Sequence, residues 1–168
     1  MGGIWRGHGK APQKSVGVGF SGQGFDRGAA YRRTPASHES LYAFVFEGVS
    51  GDVFGAGQSL TLNFGPAGVE VDSAEPDLGT PAHAVVLASS VGFSDSYQRV
   101  IEETLLNTPW SGGLNNPSVR SDIVLLEYPN GGRVFSVGSI GWTATLSGCG
   151  YQSDTSRITA NVLRTFLS

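Results

Sequence analysis

The stretch SDIVLLEYPNGGRVFSVGSIGWTATLSGCGYQSDTSRITANVLRTFL, residues 121–167, decides the fold. Residues 122–128 form an almost unbroken apolar run, which predicts a strand covered on both faces, as in the interior of an α/β sheet. Pro129-Asn130-Gly131-Gly132 supplies a turn. Asn and Gly tolerate the positive φ of tight hairpins, so residues 133–138 are expected to fold back beside the buried strand. Residues 156–167 carry Ile158, Val162, Leu163 and Phe166 on one helical face, behind a cap at Ser153 or Asp154. The sheet is expected to end under this helix.

Working outward, residues 84–88 read as a second buried strand. Ser94 or Asp95 is placed to cap a helix whose apolar residues Tyr97, Val100, Ile101 and Leu105 follow the 3.6 period, with Pro109 as its stop. A loop with Gly112-Gly113 and Asn115-Asn116-Pro117 then leads to the strand at Asp122, so the two strands would be parallel across a βαβ crossover. Residues 14–20, 41–47 and 58–64 are further predicted strands, the last alternating Leu60, Leu62 and Phe64. The expected class is α/β: a mixed sheet with a terminal βαβ unit, a β-hairpin and a closing helix, in one domain over residues 1–168.

Composition narrows the partners. The net charge of −3 offers no basic footprint, so neither nucleic acid nor an anionic membrane is an expected partner. No stretch approaches the roughly 18 apolar residues of a membrane span, and no signal-type run comes after Met1. A lone cysteine, Cys149, leaves no intrachain disulfide and suits a reducing compartment, the cytoplasm by default.

The motifs divide into weak and informative ones. Gly17, Gly19 and Gly22 match GxGxxG, but a phosphate cradle needs a helix opening at the last glycine, and Gly24, Gly28 and Pro35 interrupt any helix starting there. Cys149 lies between Gly148 and Gly150, whereas a nucleophile elbow has its glycines two positions away on each side; a small packed thiol is the plainer account. His8, His38 and His83 lack ligand spacing, and His83 reads as a strand-end residue. Asp122, Glu127 and Glu47 lie at strand ends, where an acid either caps a neighbour or faces a crevice. Glu70 and Asp72 are more informative. In extended backbone they share one face while Val69 and Val71 take the other, and two close carboxylates resist joint ionisation, which suits proton transfer; a solvated strand edge has the same pattern.

Several blocks, in order, resemble the C-terminal part of the large (beta) subunit of the N,N-dimethylformamidase family. They are IWRGHGKAPQKSVGVGFSGQGFD (4–26), YRRTPAS (31–37), FVFEGV (44–49), GVEVD (68–72), GTPAHAVVLASS (79–90), PNGGRVFSVGSIGW (129–142) and SRITANVLRTFL (156–167). The resemblance implies the C-terminal portion of a class I glutamine amidotransferase-like fold, in a subunit or fragment of an iron-dependent amidohydrolase that converts N-substituted formamides, such as N,N-dimethylformamide, to formate and an amine. It implies a mononuclear iron held by two tyrosines and a glutamate upstream of this stretch, with Glu70 as a catalytic acid beside it. The partners implied are the rest of the large subunit and a small subunit, in a hetero-oligomer without which this chain is not active; the alternative is a non-catalytic assembly domain. Residues 143–150, TATLSGCG, depart from the family, which carries a polar stretch with His or Asn there.

Overall fold

The computed structural model describes residues 5–57, 65–101, 104–105 and 110–168. Among these run the strands β1 Gly19–Gln23, β2 Tyr31–Arg33, β3 Val53–Phe54, β4 Glu70–Ser73, β5 Val85–Ser90, β6 Gln98–Ile101, β7 Thr104–Leu105, β8 Ser121–Glu127 and β9 Arg133–Ser136. The α-helices are α1 Pro12–Val16, α2 Gly141–Leu146 and α3 Asp154–Leu167. The strands form a four-stranded sheet ordered β4-β1-β6-β7 and a five-stranded sheet ordered β3-β2-β5-β8-β9. All the described pairings are antiparallel, so the fold is mixed α/β with two antiparallel sheets.

The terminal hairpin and helix form as expected. β8 pairs with β9 from Val124–Ser136 to Glu127–Arg133, and Gly131 turns the chain at φ +84°. Helix α3 is capped by Ser153, whose hydroxyl accepts the Ser156 N–H, and it buries Ile158 and Val162. Ile123 and Leu125 of β8 join the main core with Tyr31, Trp142 and Ile158, whereas Val124 and Leu126 join a second cluster with Val18 and Ala74.

That two-sided burial also explains the first correction. β5 and β8 are antiparallel neighbours, Val85 opposite Leu125 and Ser90 opposite Ser121, so the expected βαβ unit is not formed. An unbroken apolar run reports coverage on both faces and says nothing of strand direction. The parallel sheet implied by an amidotransferase-like fold is accordingly not found among the described residues.

The crossover helix is replaced by β6 and β7. Ser94 and Asp95 make a turn instead of a cap: Ser96 N–H donates to the Ser94 hydroxyl and Leu114 N–H to the Asp95 carboxylate. β6 pairs with β1, and its Gln98 side chain is held by the Ser111 hydroxyl. Residues 41–47 are not a strand either. They lie in a 3₁₀ helix, Ser40–Phe46, that buries Val45 and Phe46, with Phe46 edge-on to Phe54 and under the Arg33 guanidinium. Residues 14–20 are split, because Pro12 opens α1 and Gly17 closes it at φ +81°, leaving the strand to begin at Gly19. The strand expected at 58–64 lies outside the described residues, as does Pro109.

Candidate active site

Glu70 and Asp72 open and occupy β4, an end strand of the four-stranded sheet. Its partner β1 places Gln23 opposite Glu70 and Phe20 opposite Asp72, while Val71 is wholly buried. The two carboxylates therefore share a face, as their spacing predicts, and both are half-buried. Val69 does not alternate with them. It precedes the strand at φ +66°, where the Glu70 N–H donates to the Gly68 carbonyl.

The other side of β4 meets the chain that leaves β9. Asp72 N–H donates to the Gly138 carbonyl at 2.7 Å, and Val71 bridges Ser139. The acid strand is thus the seam between the two sheets. Burial first, and the charge of Glu70 second, push the Asp72 carboxyl up to about 6. A carboxyl in that range can hold or release a proton near neutrality, beside a second acid on the same face.

Just past the end of β4, Glu75 joins a partly buried ionic network. Arg99, only 6% exposed, reaches Glu75 at 3.2 Å and the Ser21 and Ser118 carbonyls. Arg120 contacts Glu75 at 3.6 Å and Asp122 at 3.0 Å. Asp122 also accepts the Ala74 N–H and the Ser89 hydroxyl, so this strand-end acid is a tie between the sheets. Burial pulls the Arg99 guanidinium below its ordinary value while Glu75 opposes the shift. Two arginines and two acids balance here.

The remaining sequence candidates add no titratable group to this face. Gly17 ends α1 while Gly19 and Gly22 lie in β1 beside β4, so no helix opens at the glycine motif. His83 is exposed and packs edge-on against Tyr128; His38 faces Asp52 at 3.2 Å on the surface. Glu127 pairs with Arg133 at 3.0 Å in the hairpin. Cys149 lies in a 3₁₀ turn, Gly148–Tyr151, remote in sequence from β4.

Sequence reasoning misses Tyr97 and Ser139, whose hydroxyls touch the backbone on which Glu70 is mounted. Periodicity assigns Tyr97 to a helix, and Ser139 carries no signal beyond its block. The Gly-Val-Glu-Val order contains a hint, since glycine just before an alternating pair allows a turn at the start of a strand.

A sequence model of the family described as N,N-dimethylformamidase beta subunit-like, C-terminal, matches residues 1–156. The N,N-dimethylformamidase beta subunit of Paracoccus aminophilus is 36% identical to this chain over 166 residues, covering 99% of the chain and 22% of the relative. The N,N-dimethylformamidase beta subunit of an Alcaligenes species is 34% identical over 166 residues, again 99% of the chain and 22% of the relative. The chain thus spans less than a quarter of the length of these curated relatives.

Proposed function

This chain belongs to the N,N-dimethylformamidase beta subunit-like C-terminal family, and from that membership we propose that it supplies the proton-transfer carboxylate of an amide hydrolase, Glu70. The observation that carries the reading is the acid pair: Glu70 and Asp72 share one half-buried face at the seam of the two sheets. In the proposed reaction Glu70 takes a proton from the attacking water and delivers it to the departing amine nitrogen as the C–N bond breaks. The products from an N-substituted formamide are formate and an amine. N,N-dimethylformamide itself is the substrate named by the relatives and proposed here.

Iron is part of the proposal only as a group carried by other segments of the assembled enzyme. Among the described residues no three His, Cys, Asp or Glu side chains converge as a metal site, and the chemistry proposed for this chain is proton transfer alone. The partners proposed are the remainder of a longer beta-type polypeptide and a second, smaller subunit, in the cytoplasm. Among the described residues no helix is long and apolar enough to cross a membrane. A non-catalytic assembly role draws on a different observation, a groove of about 340 Å³ between β9 and α3 lined by apolar side chains including Phe135, Trp142 and Phe166.

Glu70→Gln in the assembled enzyme separates the two. Proton-transfer catalysis by Glu70 predicts a fall in dimethylamine release of about 10²- to 10⁴-fold with iron content unchanged. Unchanged turnover at normal iron content overturns the assignment.

A further inference from the structure

We infer that Tyr97 and Ser139 are positioning residues for Glu70, clamping it on a strained three-residue turn. The inference rests on the Glu70 reading above and adds what holds that carboxylate in place. Glu70 N–H donates to the Gly68 carbonyl at 2.9 Å across Val69, whose φ is +66°. A γ-turn of this hand is the rare and strained form, and a β-branched residue is poorly suited to it. Such strain persists only where the surroundings over-determine it.

The surroundings do so from three elements. The Tyr97 hydroxyl accepts the Val69 N–H at 3.1 Å, while the Gly24 N–H donates to the Val69 carbonyl at 3.0 Å, so Val69 is held on both its polar backbone groups. Ser139 Oγ accepts the Gly68 N–H at 2.9 Å and the Gly141 N–H at 3.1 Å. Its one proton is shared between the Gly68 and Glu70 carbonyls, both at 2.9 Å, so the hydroxyl's whole bonding capacity is spent on the turn and the start of α2. Tyr97 is wholly buried and its ring lies 4.6 Å from that of Phe93. Burial pushes its phenol up, which keeps it a neutral hydroxyl.

Without these hydroxyls only the Gly24 N–H still holds Val69, and the turn can relax toward extended backbone. Glu70 opens β4 directly after this turn, so a change in the turn would carry over to the direction of its side chain. Asp72, anchored through its N–H to Gly138, would stay where it is. The pair is therefore maintained by the clamp.

The experiment uses the assembled enzyme with N,N-dimethylformamide. Tyr97→Phe and Ser139→Ala are each expected to lower kcat about tenfold or more while leaving KM within about twofold, because a small misplacement of a reacting group is costly. In a Glu70→Gln background neither should lower the residual rate further. Val69→Gly should recover most of the loss in either clamp variant, since glycine adopts positive φ without steric cost. Amide exchange at Val69 and Glu70, measured on the same proteins, should rise in the clamp variants while that of α3 stays unchanged. Losses that multiply with Glu70→Gln, absence of recovery by Val69→Gly, or wild-type exchange at Glu70 would each overturn the positioning role while leaving the Glu70 reading intact. Unchanged turnover in Glu70→Gln alone would remove that reading and this inference with it.

Discussion

Asp72→Asn is expected to stabilise the chain near neutral pH and to do so less as the pH falls. The folded carboxyl titrates at about 6 against an ordinary 3.8, for two reasons: burial disfavours its charge, and Glu70 repels it. Because the folded value is raised, the folded chain binds more protons than the unfolded chain between about pH 4 and 6. Stability therefore declines as pH rises through that window, and above it ionised Asp72 is a constant penalty. The full difference corresponds to about 3 kcal/mol, and residual contact with solvent reduces the measurable part to ~1–2 kcal/mol. For a chain of 168 residues that is a rise in Tm of about 2 to 8 °C at pH 8. The assay is thermal and urea unfolding of wild type and variant from pH 3.5 to 8. The two curves should converge at the acid end, where the native carboxyl is protonated. A gain that does not vary with pH, or a variant less stable at pH 8, would refute burial and repulsion as the causes.

Two further substitutions test the frame around the pair. Arg99→Ala leaves Arg120 at 3.6 Å as the one cation on Glu75, beside the Ser73 hydroxyl, and strips the buried Ser21 carbonyl and the part-buried Ser118 carbonyl of a donor; a loss of about 3–5 kcal/mol in urea unfolding is expected, and less than about 1 kcal/mol would mean that water enters the network. Ser153→Ala removes the cap of α3 together with a buried hydroxyl that also donates to the Thr145 carbonyl. Its expected cost is ~1–2 kcal/mol, read by thermal melting, with the loss of protection greatest in the first turn of α3.

The end of the chain is legible because its signals are local. Asn130-Gly131 fixes a turn, Ser153 caps a helix, and the short apolar run from Ile123 to Leu126, stopped by that turn, suits a strand covered on both faces. The middle is not legible, because there tertiary contacts outrank local pattern. Tyr97, Val100 and Ile101 satisfy a helical period, yet Arg99 between them is drawn into a partly buried ionic network and Gln98 into a sheet, which no periodicity shows. Leu41 to Phe46 has strand-forming residues, but packing of Val45 and Phe46 against the core selects a 3₁₀ helix. Glu70 and Asp72 can be paired from spacing alone. Their mount cannot, since Ser139 reaches it across 71 positions and Tyr97 across 28.

The seam at β4 gives the hairpin a mechanical role. Only Val137 and Gly138 separate the last residue of β9 from Ser139, and Gly138 is itself bonded to both Asp72 and the Ser121 hydroxyl. A shift of β9 along β8 has almost no slack in which to dissipate before it reaches the acid pair. The register of the hairpin is thus one of the coordinates that set where Glu70 points, and loading or loosening the Asn130-Gly131 tip acts as a lever on a carboxylate some sixty residues away in sequence.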